Sequence, residues 1–207
     1  NNLGVIFKAL GEHQKAKDCF EKAIEITPNY AHAHSNIGAI FNIFGDTKKA
    51  IDCYEKAIEI DPKHKDALYN LGGVFKNLGD TKKAINCYQK VIEIDPRHKD
   101  ALYNLGVALL VTKQYKNALE QFTLSNYKNS KSFLLTCLYK LDDKASFFRE
   151  LDNLIKQGKT DALIGSLTSR SEIKYGIKKP NLFCEDPLEY TLMTNLTKEY
   201  DFKNVFV

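Results

Sequence analysis

Two triplets in this chain have the composition of a metal site. His64-Lys65-Asp66 and His98-Lys99-Asp100 each set an imidazole two residues before a carboxylate. With a distant second His, that pair is the ligand set of non-haem iron. The pair shares a metal on a strand, where side chains i and i+2 point the same way. On a helix the same two residues diverge by about 200°. Both triplets sit at equivalent points of a repeated phrase, where a helix begins, so they read as solvated loop entering a helix and not as iron ligands.

Other chemical candidates fail on similar grounds. His34 takes a position held by large core residues elsewhere, and is expected as a packed histidine; neither it nor His32 reads as a zinc ligand. No CxxC or HExxH occurs, so zinc has no basis. The glycines of residues 71–79, LGGVFKNLG, lie inside a helical phrase and do not follow a strand, which excludes a phosphate loop. The basic triplets Lys63-His64-Lys65 and Arg97-His98-Lys99 are each followed by Asp and lack an aromatic platform, and the net charge is only +4. Nucleic acid is therefore not the expected partner. Asn195-Leu196-Thr197 fits a glycosylation sequon that arises often by chance, and Cys184 reads as a structural thiol. No catalytic constellation emerges, and the chain is expected to be non-catalytic, without cofactor or metal.

The polar residue that does recur is Asn. HKDALYNLG stands at residues 64–72 and again at 98–106, an offset of 34 residues, and the same Asn is found at Asn2, Asn36, Asn70 and Asn104. Asn is a mediocre helix former, so a merely solvated site would accept Lys, Glu or Gln at less cost. Its amide offers a donor and an acceptor, matching the backbone amide of an extended peptide. Duplicated ancestry alone is the competing explanation.

The elements that carry these residues follow from the 34-residue period. Apolar residues recur at three- and four-residue spacing, the mark of amphipathic helices. Four units result, and GDTKKAI, at residues 45–51 and 79–85, supplies the break within a unit: Gly ends the first helix, and Asp or Thr can cap the second. IDP closes the second helix, because Pro disfavours helix in the residue before it. With Pro at position 32 of each unit, positions 4, 7, 8 and 11 form the core stripe of the first helix. Positions 2, 6, 9 and 13 lie opposite: Asp66, Asn70, Gly73 and Asn77 in the third unit, and Asp100, Asn104, Val107 and Val111 in the fourth. No unit buries its apolar face alone, so the units must stack.

The third unit reads Leu68-x2-Leu71-Gly72-x2-Phe75, Ala84-x3-Tyr88, Pro96, and the others follow it, the first without its opening turn and the fourth with Ser130 in place of Pro. This pattern resembles the tetratricopeptide repeat, a helix–turn–helix unit of 34 residues. The resemblance implies an all-α, right-handed superhelical solenoid over residues 1–130, whose inner face is lined by first helices. The Asn pattern is similar to that of the repeats of the O-linked N-acetylglucosamine transferase. That likeness implies a backbone-binding role for Asn36, Asn70 and Asn104 and a selective one for Asp66 and Asp100, with Tyr69, Tyr103 and Asn77 beside them. His32 replaces Asp in the second unit. The clamp for chaperone tails known in the family wants Lys or Arg where this chain has Asn70 and Asp66.

Residues 131–170 read as a degenerate fifth helix pair, with Asp142 at the turn, and a capping helix over residues 161–170. Residues 171–207 read as an irregular tail containing a short helix near residues 186–193. Its Phe183, Leu188, Tyr190, Leu192, Phe202 and Phe206 are expected to dock near Phe147 and Leu151 or in a groove. The tail resembles the segment that joins repeats to a 2-oxoglutarate/Fe(II) oxygenase-like domain in some marine bacterial proteins, which implies a fragment of a longer chain. Cys19, Cys53 and Cys87 recur at one site per unit, too far apart for disulfides. They read as small buried hydrophobes in a reducing, cytoplasmic compartment, although the start at Asn1 leaves a preceding targeting segment open. The function expected is binding of a protein or extended peptide in the groove, with no nucleic acid and no membrane. The alternatives are a recruiting or scaffold fragment of an oxygenase-like enzyme or glycosyltransferase, and self-association through exposed solenoid ends.

Overall fold

The computed structural model describes residues 1–127, 130–159 and 161–181, and the chain divides into two units, 1–127 and 128–207. The first unit is four helix pairs: α1 (Asn2–Ala9) with α2 (His13–Ile26), α3 (Ala31–Ile43) with α4 (Thr47–Ile60), α5 (Lys65–Asn77) with α6 (Thr81–Ile94), and α7 (Lys99–Val111) with α8 (Tyr115–Ser125). The second contains α9 (Ser130–Lys140), α10 (Lys144–Lys156) and α11 (Ala162–Tyr175), with both α10 and α11 packed on α9. No strand occurs among the described residues. None of their helices is long and apolar enough to cross a membrane.

The turns form as their residues dictate. Gly11, Gly45 and Gly79 adopt φ of +76°, +79° and +78°, where an L side chain is strained. Asp, and not the neighbouring Thr, then caps the next helix: Asp46 accepts from the Lys49 N–H at 3.2 Å and Asp80 from the Lys83 N–H at 3.1 Å. Lys113 and Asp142 hold the equivalent left-handed turns at φ of 61° and 60° without glycine. α4 and α6 stop one residue short of the Asp-Pro pairs. α8 lacks that Pro and ends early, at Asn126 in the left-handed conformation that Asn tolerates.

Each pair is held by a glycine on its first helix facing an aromatic ring on its second. A Cβ added to Gly4, Gly38, Gly72 or Gly106 would lie 2.6, 3.0, 2.8 or 2.7 Å from a ring carbon of Phe20, Tyr54, Tyr88 or Phe122. All four rings are fully buried. The Tyr88 hydroxyl is buried without a hydrogen-bond partner, and the first and fourth repeats place Phe at this point. Tyr88→Phe removes an unsatisfied polar group and should raise stability by about 1 kcal/mol. Chemical denaturation checks this; a clear loss of stability would mean that the hydroxyl is satisfied.

α11 differs in extent from the helix expected over residues 161–170. Asp161 caps its start, accepting from the Ile164 N–H at 2.8 Å. The helix then continues to Tyr175, because the Ser171 hydroxyl is satisfied within it by the Thr168 carbonyl at 2.8 Å, and the first left-handed residue is Gly176. The expected helix near residues 186–193 and the docking aromatics at 183–206 lie outside the described residues.

Candidate functional site

The repeated His of the HKD triplets proves to be a helix cap, which corrects the expectation of solvated loop. His64 precedes α5 and its Nδ1 accepts the Ala67 N–H at 3.2 Å; His98 precedes α7 and accepts from Ala101 at 3.2 Å. A deprotonated ring nitrogen thus satisfies one of the orphan N–H groups at a helix start. His64 is only 5% exposed, while His98 is half-buried and stacks on Tyr69 with ring centroids 5.2 Å apart. His is not among the preferred capping residues, so composition gave little signal for this role. Burial, and then the adjacent His32 ring at 4.5 Å, hold the His64 pKa below its ordinary value, partly opposed by Asp66 and Asp61. With Nδ1 accepting, the single proton of the neutral ring sits on Nε2. That atom is buried and has no hydrogen-bond partner. His34 is half-buried, with Nε2 2.8 Å from the Pro28 carbonyl.

The four position-6 Asn residues are not equivalent. Asn36 donates to the Asn1 Oδ1 at 3.0 Å, and Asn104 donates to the Tyr69 hydroxyl at 3.1 Å. Both bonds run from position 6 of one unit to position 5 of the unit before, and so tie neighbouring units together. The Asn104 Oδ1 also accepts from Lys76 Nζ at 3.1 Å. Between the second and third units, position 5 is the buried Ser35, and Asn70 makes no side-chain hydrogen bond among the described residues.

Asn70 and Asn36 share a cleft of about 160 Å³ with Lys8 of α1, His32 of α3, and His64, Asp66 and Tyr69 at α5. Asp66 is exposed there, whereas the carboxylate of the equivalent Asp100 accepts the Tyr127 hydroxyl. Tyr103 packs against Phe122 and Tyr127, at centroid distances of 6.1 and 5.6 Å. Asn77 is exposed on α5, and between it and Asn70 a Cβ placed on Gly73 would meet nothing within 4 Å. The sequence-predicted residues therefore divide. Asp66, Asn70 and Asn77 keep their polar atoms available on α5; Tyr69 and Asn104 bond each other between repeats, and Asp100 is taken by Tyr127 within the fourth. His64 and Lys8 of this cleft were not foreseen. A larger cavity of about 710 Å³, floored by Ile58, Leu68, Leu71 and Phe75 between α4 and α6, contains none of the predicted residues.

Three of the described thiols are unsuited to chemistry, while Cys184 lies outside the described residues. Burial pushes Cys53 and Cys87 up to about 11 and Cys137 up to about 12, so they stay protonated at neutral pH and are poor nucleophiles or ligands. Cys87 is buried, but Cys19 and Cys53, at the same position of their units, are only half-buried, less than expected. Among the described residues no three His, Cys, Asp or Glu side chains are grouped to hold a metal.

Models of the tetratricopeptide repeat family match residues 1–63, 66–98 and 87–120, together more than half of the chain. The chain is a tetratricopeptide repeat protein. Solved structures of the same fold include YrrB, at 21% identity and TM-score 0.67 over 79% of this chain and 87% of that one. PilF of Pseudomonas aeruginosa aligns at 24% identity and TM-score 0.68, over 84% and 82% of the two chains. MamA aligns at 16% identity and TM-score 0.64, over 86% and 94%. A comparison with curated protein sequences finds no match. Tetratricopeptide repeat proteins are protein-interaction modules, and the fold is generally a non-catalytic scaffold. Here the matched repeats fill the first unit, which is also where the cleft lies.

Proposed function

We propose that this tetratricopeptide repeat protein binds an extended peptide segment of a partner protein on the face of its first helices, and that the peptide is seated on α5. The observation that carries this reading is Asn70, whose side-chain amide is uncommitted within the described residues and which opens on a cleft. Along one stripe of α5, Asp66, Asn70, Gly73 and Asn77 present polar groups and an open backbone. Asn36 and Asn104 contribute less to binding, because their amides already join repeats. YrrB is described as having an unusual peptide-binding site, and a groove of this kind is the natural seat for one here.

The test starts from a peptide selected from a display library with the unaltered chain. Asn70→Ala should weaken binding by about 0.5–1.5 kcal/mol, or roughly two- to twelvefold. Folding should not suffer, since Ala is the better helix former and no internal bond is lost. Asn36→Ala and Asn104→Ala should instead lower thermal stability, each by about 0.5–1.5 kcal/mol. Asp66→Ala should change which sequences are selected. Undiminished peptide binding by a folded Asn70→Ala protein would remove the seat on α5.

A further inference from the structure

We infer that the groove between α4 and α6 is a second interaction surface, whose partner is a short acidic protein segment carrying large apolar side chains. The groove lies across α5 from the seat proposed above, because its floor is the core stripe Leu68, Leu71 and Phe75. It does not depend on that seat. Its volume of about 710 Å³ is that of a ligand-sized cleft and has room for several apolar side chains. These would meet the half-buried Ile58 and the part of Leu71 and Phe75, 5% and 8%, that stays exposed.

Charge on the walls selects the partner. α6 repeats the lysines of α4, with Lys82, Lys83 and Lys90 where α4 has Lys48, Lys49 and Lys56. It does not repeat the acids: Asn86 and Gln89 stand where α4 has Asp52 and Glu55, and where α2 has Asp18 and Glu21. The pairing changes accordingly. Lys56 is held by Glu59 at 3.0 Å, whereas its equivalent Lys90 makes no ion pair among the described residues, and neither does Lys82. Lys83 is spent on Asp80 at 3.4 Å and lies over the Phe75 ring, 5.0 Å from its centroid. Lys82 and Lys90 therefore flank the groove uncompensated, opposed by one unpaired carboxylate, Glu55 on the α4 wall. An acidic segment lying along α6 complements both lysines, while a basic one would meet like charge. Glu55 keeps the partner's acids on the α6 side. The two lysines are eight residues apart, about 12 Å along the helix, too far for one carboxylate to reach both. Two acids about four residues apart on an extended segment match that span.

The test displays random dodecapeptides to the full chain and counter-selects on Lys82→Glu/Lys90→Glu. Both lysines are exposed and unpaired, so the variant should fold, as circular dichroism checks; Lys82→Gln/Lys90→Gln is the milder replacement. Clones held by the unaltered chain alone should carry two acids about four residues apart, with Leu, Ile or Phe between them. As synthetic peptides they should shift amide signals of α4 and α6, and bind the double variant about tenfold more weakly. Asn86→Asp, which restores the acid of the second repeat, should weaken them roughly two- to fivefold. Glu55→Gln should tighten them by as much. The inference is overturned if no clone is retained, if retained clones lack the acid and apolar pattern, or if their shifts miss α4 and α6. Retained peptides indifferent to both Asn86→Asp and Glu55→Gln overturn it too. So does decanoate binding saturably and more tightly than any retained peptide, which would make the groove an acyl-chain site.

Discussion

Phe122→Ala should destabilise the chain by about 3–5 kcal/mol, the range for deleting a large buried ring. Phe122 is 1% exposed, lies against the open face of Gly106 and meets Tyr103 edge-on at 6.1 Å. Removing it leaves a cavity that neither neighbour can fill: Gly106 has no side chain, and Tyr103 is also held by the Tyr127 ring. In a stacked array each repeat contacts only its neighbours, so the loss should be local. Amide exchange should accelerate in α7 and α8 well before α3 to α6. A loss below about 1 kcal/mol would show that the site collapses around the deletion; a uniform acceleration would show that the four repeats open as one block.

How far the sequence disclosed this arrangement depends on which kind of information a residue carries. The helix pairs, their glycine turns and their Asp caps were legible because each depends on local chemistry repeated every 34 residues. The Gly–aromatic contact was not foreseen, although Gly72 and Tyr88 keep one spacing in every unit. The inner-face Asn could be placed by helical phase, since Asn70 and Asp66 share a stripe that the core positions exclude. What phase could not disclose was which of these groups would be spent on neighbours. Asn104 looks identical to Asn70 in sequence, yet it bonds Tyr69 and Lys76, because its preceding unit carries Tyr at position 5 and Lys at position 12. Asn70 lacks such a bond because the residue at that point is Ser35. His64 was misjudged because its role depends on a single ring nitrogen and on burial beneath His32, which no spacing rule encodes. The α11 end was misjudged because a change in composition at Ser171 is not a structural stop, whereas Gly176 is.

Gly72→Val and Gly73→Ala, neighbours on one helix, should have opposite effects. At Gly72 even a Cβ would lie 2.8 Å from the Tyr88 ring and 3.1 Å from the Cys87 Cβ, and Tyr88 is fully buried, so the ring has nowhere to go. A branched side chain must push α5 and α6 apart, and the expected cost is about 3 kcal/mol, the upper end for overpacking a tight core. Gly73 faces open space on the opposite side of the helix. There Ala removes the conformational freedom of a mid-helix glycine and should stabilise by about 0.5–1 kcal/mol. A residue that lowers stability without a packing reason points to close approach of another backbone. Gly73→Ala should therefore weaken the selected peptide while raising the melting temperature, a combination that no purely structural glycine would give. Unfolding curves and peptide titrations on the two variants check both halves. A Gly73→Ala protein that is more stable and binds just as well would mean that the peptide does not reach this turn of α5. A tolerated Gly72→Val would mean that the two helices of the third repeat are not held by the ring-on-glycine contact.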